Sequence, residues 1–273
     1  MIESLHRTIF QAIVVGVLLL AGSSLEAAFV SLDDFQSLTP GGLSGQNGWT
    51  ASDAIQVAND PADASNQVMS IAVHTVDPTS AVYARKAASL PNNNTGTMFF
   101  RMRRTANMNA FAGWSDVAVP SSYPNYENQV GTEDTINSSG KVIVRSGGSP
   151  TQVGLFDIDT WYNVWIVSDN SSDTYQVYLE GGDWQTQTAL VHGVNDNPDF
   201  AYRNSAASND LTQFFTLSVV PAGKFFFLDD IYIDATGANL SSPLVTPVPE
   251  PSALVLVGLG ILMGVCGRRR TRG

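Results

Sequence analysis

The chain has 273 residues, 44% of them hydrophobic and 14% charged, with a formal net charge of −11. Between Ala28 and Pro247 stand 22 acidic residues, 19 of them aspartate, against 9 basic ones, so the body lacks the basic footprint that nucleic acid or an anionic membrane surface requires. The single cysteine, Cys266, lies near the C-terminus, which excludes disulfides, zinc-thiolate sites and a cysteine nucleophile from everything before it.

His6 and Arg7 precede an apolar run from Ile9 to Leu20, and small residues lead on to Ala27 and Ala28. This is the pattern of a secretory signal peptide over residues 1–27, cleaved near Ala27, although Leu25 and Glu26 make the small-x-small site imperfect. A retained signal anchor is the alternative, and the run is short for a span. The residues between the two ends suffice for one large β domain with a full core.

Period-two alternation dominates residues 28–237, and no amphipathic helix of ordinary length interrupts it. Strands are expected at Met69–Val76, at Thr97–Arg103 with Met98, Phe100 and Met102 on one side, and at Val142–Arg145, Trp161–Val167, Tyr175–Glu180, Phe214–Val220 and Phe225–Asp234. Turn-rich stretches such as Pro91–Asn94, Asn137–Gly140 and Ser146–Gly148 separate them. Many short strands without a fixed repeat point to an all-β, jelly-roll β-sandwich. Ala238 to Pro247, rich in serine and proline, reads as a linker.

Candidate chemistry is sparse. Only Glu127, Glu133 and Glu180 are glutamates in the body, and no alternating triplet of acids lies on an expected strand, so no catalytic residue is assigned. His74 falls on the polar side of its strand, and His192 sits in a loop beside Asn195, Asp196 and Asn197. Sugar binding calls for exposed aromatics that stack on pyranose faces; Trp114, Tyr123, Tyr126 and Trp184, in polar or turn-like surroundings, are the candidates. Trp161 and Trp165 share one strand face and read as packing, and Trp49 reads as a plug at one end of the sandwich. Asp33-Asp34 and Asp229-Asp230 converge if the first and last strands are neighbours, and calcium, hard and oxygen-seeking, is their candidate occupant.

The last segment, residues 248–273, has three parts in order. Pro247, Pro249 and Pro251 hold the chain extended around Glu250. Ala253 to Gly267 form an apolar run expected to be helical, whose 15 residues at about 1.5 Å each reach about 22 Å, short of a hydrocarbon core of about 30 Å. Arg268, Arg269 and Arg270 follow, and the positive-inside bias holds them in the cytoplasm. This arrangement resembles the PEP-CTERM sorting signal of bacterial envelope and biofilm-associated proteins. The resemblance implies recognition of Pro249, Glu250 and Pro251 by a membrane-embedded exosortase, Arg268 to Arg270 as the stop, transient anchoring in the inner membrane, and delivery to the envelope or extracellular space.

The body resembles the concanavalin A-like lectin/glucanase superfamily, particularly its LamG-like members. The residues that carry this are Trp161–Val167 followed by Tyr175–Gly182, the opening Asp33-Asp34-Phe35 with Gly45–Trp49, and the closing Phe227–Tyr232. The resemblance implies a lectin-like jelly roll and an exported structural or carbohydrate-binding module whose partner is an extracellular polysaccharide. A secreted polysaccharide-degrading enzyme, hydrolase or lyase, is the alternative on the same fold.

Overall fold

The computed structural model describes residues 28–74, 80–134, 140–204 and 209–244. The signal peptide, the Pro249-Glu250-Pro251 motif, the apolar run and Arg268 to Arg270 lie outside the described residues. Among the described residues no helix is long and apolar enough to cross a membrane. One unit extends through Ser241 and a second runs from Ser242; of the second, 242–244 are described, with Ser242 Oγ accepting from Leu244 N at 3.4 Å.

Alternating apolar residues form strands because one face of each can be buried. In chain order these are β1 (Val30–Asp33), β2 (Gly41–Gly42), β3 (Thr50–Ala51), β4 (Ile55–Asp60), β5 (Asp63–Ile71), β6 (Val82–Leu90), β7 (Thr95–Arg104), β8 (Asn109–Ser115) and β9 (Asn128–Thr132). They continue with β10 (Lys141–Ser146), β11 (Ser149–Leu155), β12 (Tyr162–Asp169), β13 (Thr174–Gly181), β14 (Trp184–Ala189), β15 (Phe200–Ala201), β16 (Leu211–Val219) and β17 (Phe226–Asp234). A 3₁₀ turn at Tyr123–Asn125 lies between β8 and β9.

The strands make two antiparallel sheets, as the jelly-roll expectation requires. One runs β14-β13-β12-β7-β17-β5-β4-β2, with β1 beside β17 and β15 beside β13; the other runs β11-β10-β9-β8-β16-β6-β3. Between them lies the core, to which alternate residues contribute: Met98, Phe100 and Met102 from β7, Val164 and Ile166 from β12, Val177 and Leu179 from β13, and Phe214 from β16. Trp49 fills one part of it, stacked on Phe35 at 5.9 Å and edge-on to Phe214 at 5.7 Å. Lys86 on β6 reaches across to the other sheet, bonding Leu32 O at 2.6 Å and Asp33 Oδ2 at 3.0 Å. β8 and β9 approach so closely at Gly113 and Gly131 that a Cβ at either would run into the opposite backbone.

The strand expected at Met69–Val76 is offset: β5 begins at Asp63 and ends at Ile71. β4, β6, β8, β9, β11 and β14 were not expected from the alternation. Their inward positions are partly held by small or polar residues, as in Asn-Ala-Phe-Ala-Gly-Trp-Ser of β8, so the hydrophobic signal is weak although the strand is buried. The stretch read as a linker from Ala238 is tied to the body as far as Ser241. Asn239 N donates to Thr97 Oγ1 at 2.8 Å, Asn239 Nδ2 to Asp234 at 2.8 Å, and Trp165 Nε1 to Ser241 O at 2.9 Å.

Candidate functional site

β17 changes neighbour halfway along one edge. Phe226–Leu228 pair with Ile71–Met69 of β5, whereas Ile231–Ile233 pair with Asp33–Val30 of β1. Asp229 and Asp230 stand at the changeover, where the register against β7 also shifts and Asp230 takes a φ of 50°. Such a bulge re-aims side chains and leaves a residue without its ladder partner.

The four aspartates do not meet as one group, and among the described residues no three acids or histidines lie close enough to hold a cation. Asp33 pairs with Ile231, a core residue, and so faces inward. There it is 4% exposed and saturated: Trp49 Nε1 donates at 2.7 Å, Asn47 Nδ2 at 3.0 Å, Lys86 Nζ at 3.0 Å and its own neighbour Phe35 N at 2.9 Å. Asp229, paired with Arg101, lies on the opposite face of the sheet. Its carboxylate accepts from Asn66 Nδ2 at 2.8 Å and Asp230 N at 2.8 Å, with Arg101 Nη1 at 3.8 Å and also 3.1 Å from Asp230. Strand alternation is the physical reason for the split. Burial first, and then repulsion from Asp230, push the Asp229 pKa up to about 7; Asp230 is raised by burial too, and Asp34 adds to it. Arg101, stacked over Trp161 at 4.8 Å, is the counter-charge.

Next to it on the same face is a second ion pair that sequence reasoning missed. Asp60 at the end of β4 accepts from Arg103 Nη1 at 2.8 Å and from Trp161 Nε1 at 2.9 Å, and Arg103 Nη2 also reaches Asp159 at 3.2 Å. Arg101 and Arg103 two residues apart on a strand were the available signal, since both must face one way.

Two of the four aromatic candidates are corrected. Trp114 is completely buried on the inner face of β8, with Nε1 bonded to Ala88 O at 3.2 Å. Tyr126 is completely buried with Phe215 against the outer face of the second sheet, its hydroxyl on Phe111 O at 2.9 Å. Trp114 stands near the end of β8 just before a polar turn and Tyr126 near the end of the polar connection between β8 and β9, so local polarity misled about both. Tyr123 is half-buried on that same cluster, edge-on to Phe111, and burial raises its pKa. Trp184 packs half-buried on Tyr162 at 5.9 Å. Trp165 is packing, as expected, edge-on to Phe99 at 5.0 Å.

Glu127 is 2% exposed, held by Asn204 Nδ2 at 2.7 Å and Asn204 N at 3.1 Å. Burial pushes its pKa up to about 7, Asn204 offsets part of that, and the neighbouring Asp116 carboxyl raises it further. A carboxyl raised to that range suits acid-base work, but Glu127 is buried and its two bonds from Asn204 tie the segment after β15 to the second sheet. His192 supports its own loop: it exchanges backbone bonds with Asn197 at 2.9 Å, its Nε2 meets Asp199 O at 2.9 Å, and its ring lies on Phe200 at 4.7 Å.

The model of the PEP-CTERM protein-sorting motif matches residues 247–270. No curated relative matches the sequence. Among solved structures, a sialidase superposes with a TM-score of 0.51 at 11% identity over 77% of this chain, which spans only 19% of the sialidase. A peanut lectin gives 0.47 at 11% identity, over 70% of this chain and 93% of the lectin. The catalytic domain of a GH131 β-glucanase from Podospora anserina gives 0.48 at 14% identity, over 78% and 99%. Identities this low concern fold and carry no residue's role with them. The chain is an all-β sandwich of two antiparallel sheets whose C-terminal residues 247–270 match the PEP-CTERM protein-sorting motif.

Proposed function

We propose that this is an exported module of the bacterial envelope or extracellular matrix that binds carbohydrate without cleaving it, after processing by an exosortase-type enzyme. The observation that carries the reading is the sorting motif at residues 247–270, which marks the chain for export and for a membrane-embedded processing enzyme. The body supports a binding role over a catalytic one. Its buried acids, Asp33, Asp60, Glu127, Asp229 and Asp234, are engaged by lysine, arginine, tryptophan, asparagine or threonine donors, a use of carboxylates that holds structure together rather than leaving a pair free for glycosidase chemistry.

The Asp116–Glu127 contact, with Glu127 poised at about 7, is the observation that favours the second reading, a polysaccharide-degrading enzyme. The two separate in one experiment: the full chain is applied to a glycan array and incubated with the same glycans for product analysis. Binding without product is expected. New reducing ends or unsaturated termini that vanish in Glu127→Gln would replace the binding reading with the enzymatic one.

A further inference from the structure

We propose that the polar hollow on the outer face of the first sheet, between β7, β12, β13 and the segment after β17, is a binding site for one neutral sugar unit. This rests on the carbohydrate-binding reading and gives it a location. Its volume is about 350 Å³, the lower end of the roughly 300–1,000 Å³ range of small-ligand clefts.

Register builds its floor. Thr95, Asp169 and Thr174 are direct partners across three strands, and Val167 and Gln176 form the next rung. Because all lie at outward positions of their strands, these five side chains meet on one surface. Ala238 closes one side from the tied segment after β17, and Asp199 closes another from the loop braced by His192 and Asn197.

The acceptors are held in place before any ligand arrives. Asp169 Oδ1 accepts from Ser171 N at 3.0 Å and Ser171 Oγ at 2.5 Å, bonds that hold its pKa below the usual aspartate value. Asp199 Oδ1 accepts from Gln176 Nε2 at 2.8 Å, and Gln176 Oε1 in turn accepts from the Tyr178 hydroxyl at 2.7 Å. Each carboxylate is therefore oriented through its Oδ1, and Ser172 also donates toward Asp169. Carboxylates are acceptors only, so the group they suit is a donor, and sugar hydroxyls are donors that can bond two such oxygens at once.

Charge narrows the class. Two carboxylates and no lysine or arginine line the hollow, so a uronic acid, a sulfated sugar or a phosphate would meet like charge there with no cation among the lining residues to offset it. A neutral hexose or pentose unit avoids that cost. Tyr178, half-buried and paired with Trp165 at the rung beyond Gln176, steadies Gln176 from beside the hollow through its hydroxyl.

The test applies the full chain and three variants, Asp169→Asn, Asp199→Asn and Thr174→Trp, to an array of neutral and acidic glycans in the presence of chelator, with melting temperatures measured alongside. The native chain is expected to bind neutral glycans and not acidic ones. Each asparagine variant should weaken that binding by about tenfold or more, and the tryptophan, which fills the hollow from an outward position, should abolish it at an unchanged melting temperature. Undiminished binding by all three variants would place the site elsewhere and overturn this inference while leaving the carbohydrate-binding reading intact. Preference for acidic glycans, or binding that chelator removes, would also overturn it, and failure to bind any glycan would sink both.

Discussion

Asp60 is a carboxylate that tolerates near-complete burial because three donors, Arg103, Ala62 N and the Trp161 indole, occupy its two oxygens. Removing one partner leaves a desolvated charge, which costs far more than the net worth of the pair. Arg103→Ala should lower stability by about 3–5 kcal/mol in urea unfolding, while Asp60→Asn paired with Arg103→Met should recover much of it. If Arg103→Ala unfolds with the native midpoint, the bridge is not structural. Asp229 predicts a pH dependence of its own. Its unfolded pKa is near 3.8 and its folded one about 7, so the folded state holds a proton that the unfolded state has already released between those values. Its contribution is complete below about pH 4 and is lost as pH rises through 7, on the order of a few kcal/mol. Unfolding free energy should therefore fall from mildly acidic to neutral pH, and Asp229→Asn should flatten that slope; a variant with the native slope would show that Asp229 titrates normally. Neither residue's role was legible beforehand. The sequence marks Asp229 as an aspartate among apolar neighbours, but Asn66, 163 positions away, and Arg101 are brought to it only by the fold.

At the scale of the element, β17 matters most, because it lies between β7 on one side and β5 and then β1 on the other. The expected adjacency of first and last strands is real, and the convergence of all four aspartates is not, since alternation turns Asp33 to the core and Asp229 to the outer face. With Arg101 already at the Asp229–Asp230 pair, melting in calcium and in chelator is expected to give the same temperature. A rise of several degrees in calcium would restore the cation that the sequence suggested. The close pairing of β8 and β9 gives a second prediction. Gly131→Ala places a methyl against Ala110 O and the Phe111 backbone, and overpacking against backbone has no side chain to yield. This variant should be recovered unfolded or with a melting temperature many degrees lower; a native-like melt would show that the two strands separate more readily than their pairing implies. β8 was invisible to hydrophobic patterning for the same reason that makes it tight: its small residues allow strand contact and weaken the apolar signal.

At the scale of the molecule, the segment from Ala235 to Ser241 straps the outer face of the first sheet and covers Trp165 and Thr97. Ending the chain after Ser241 should leave the melting temperature unchanged, whereas ending it after Asp234 should lower it by several degrees, since the Trp165 and Asn239 bonds are lost and Trp165 is exposed to water. Equal melts would mean the strap adds nothing to stability. It also forms one wall of the proposed sugar site, so the shorter chain should lose glycan binding along with stability. The sequence by itself determined the class of fold, the sorting motif, and a thiol-free, acidic body, because composition, period-two alternation and a short linear motif are local properties of a chain. Which carboxylates are buried with partners, which aromatics are core, and where a hollow of outward-facing polar side chains opens were decided only by tertiary structure. Those depend on register across strands far apart in sequence, and a shift of one residue in any pairing turns every side chain on that strand to the opposite face.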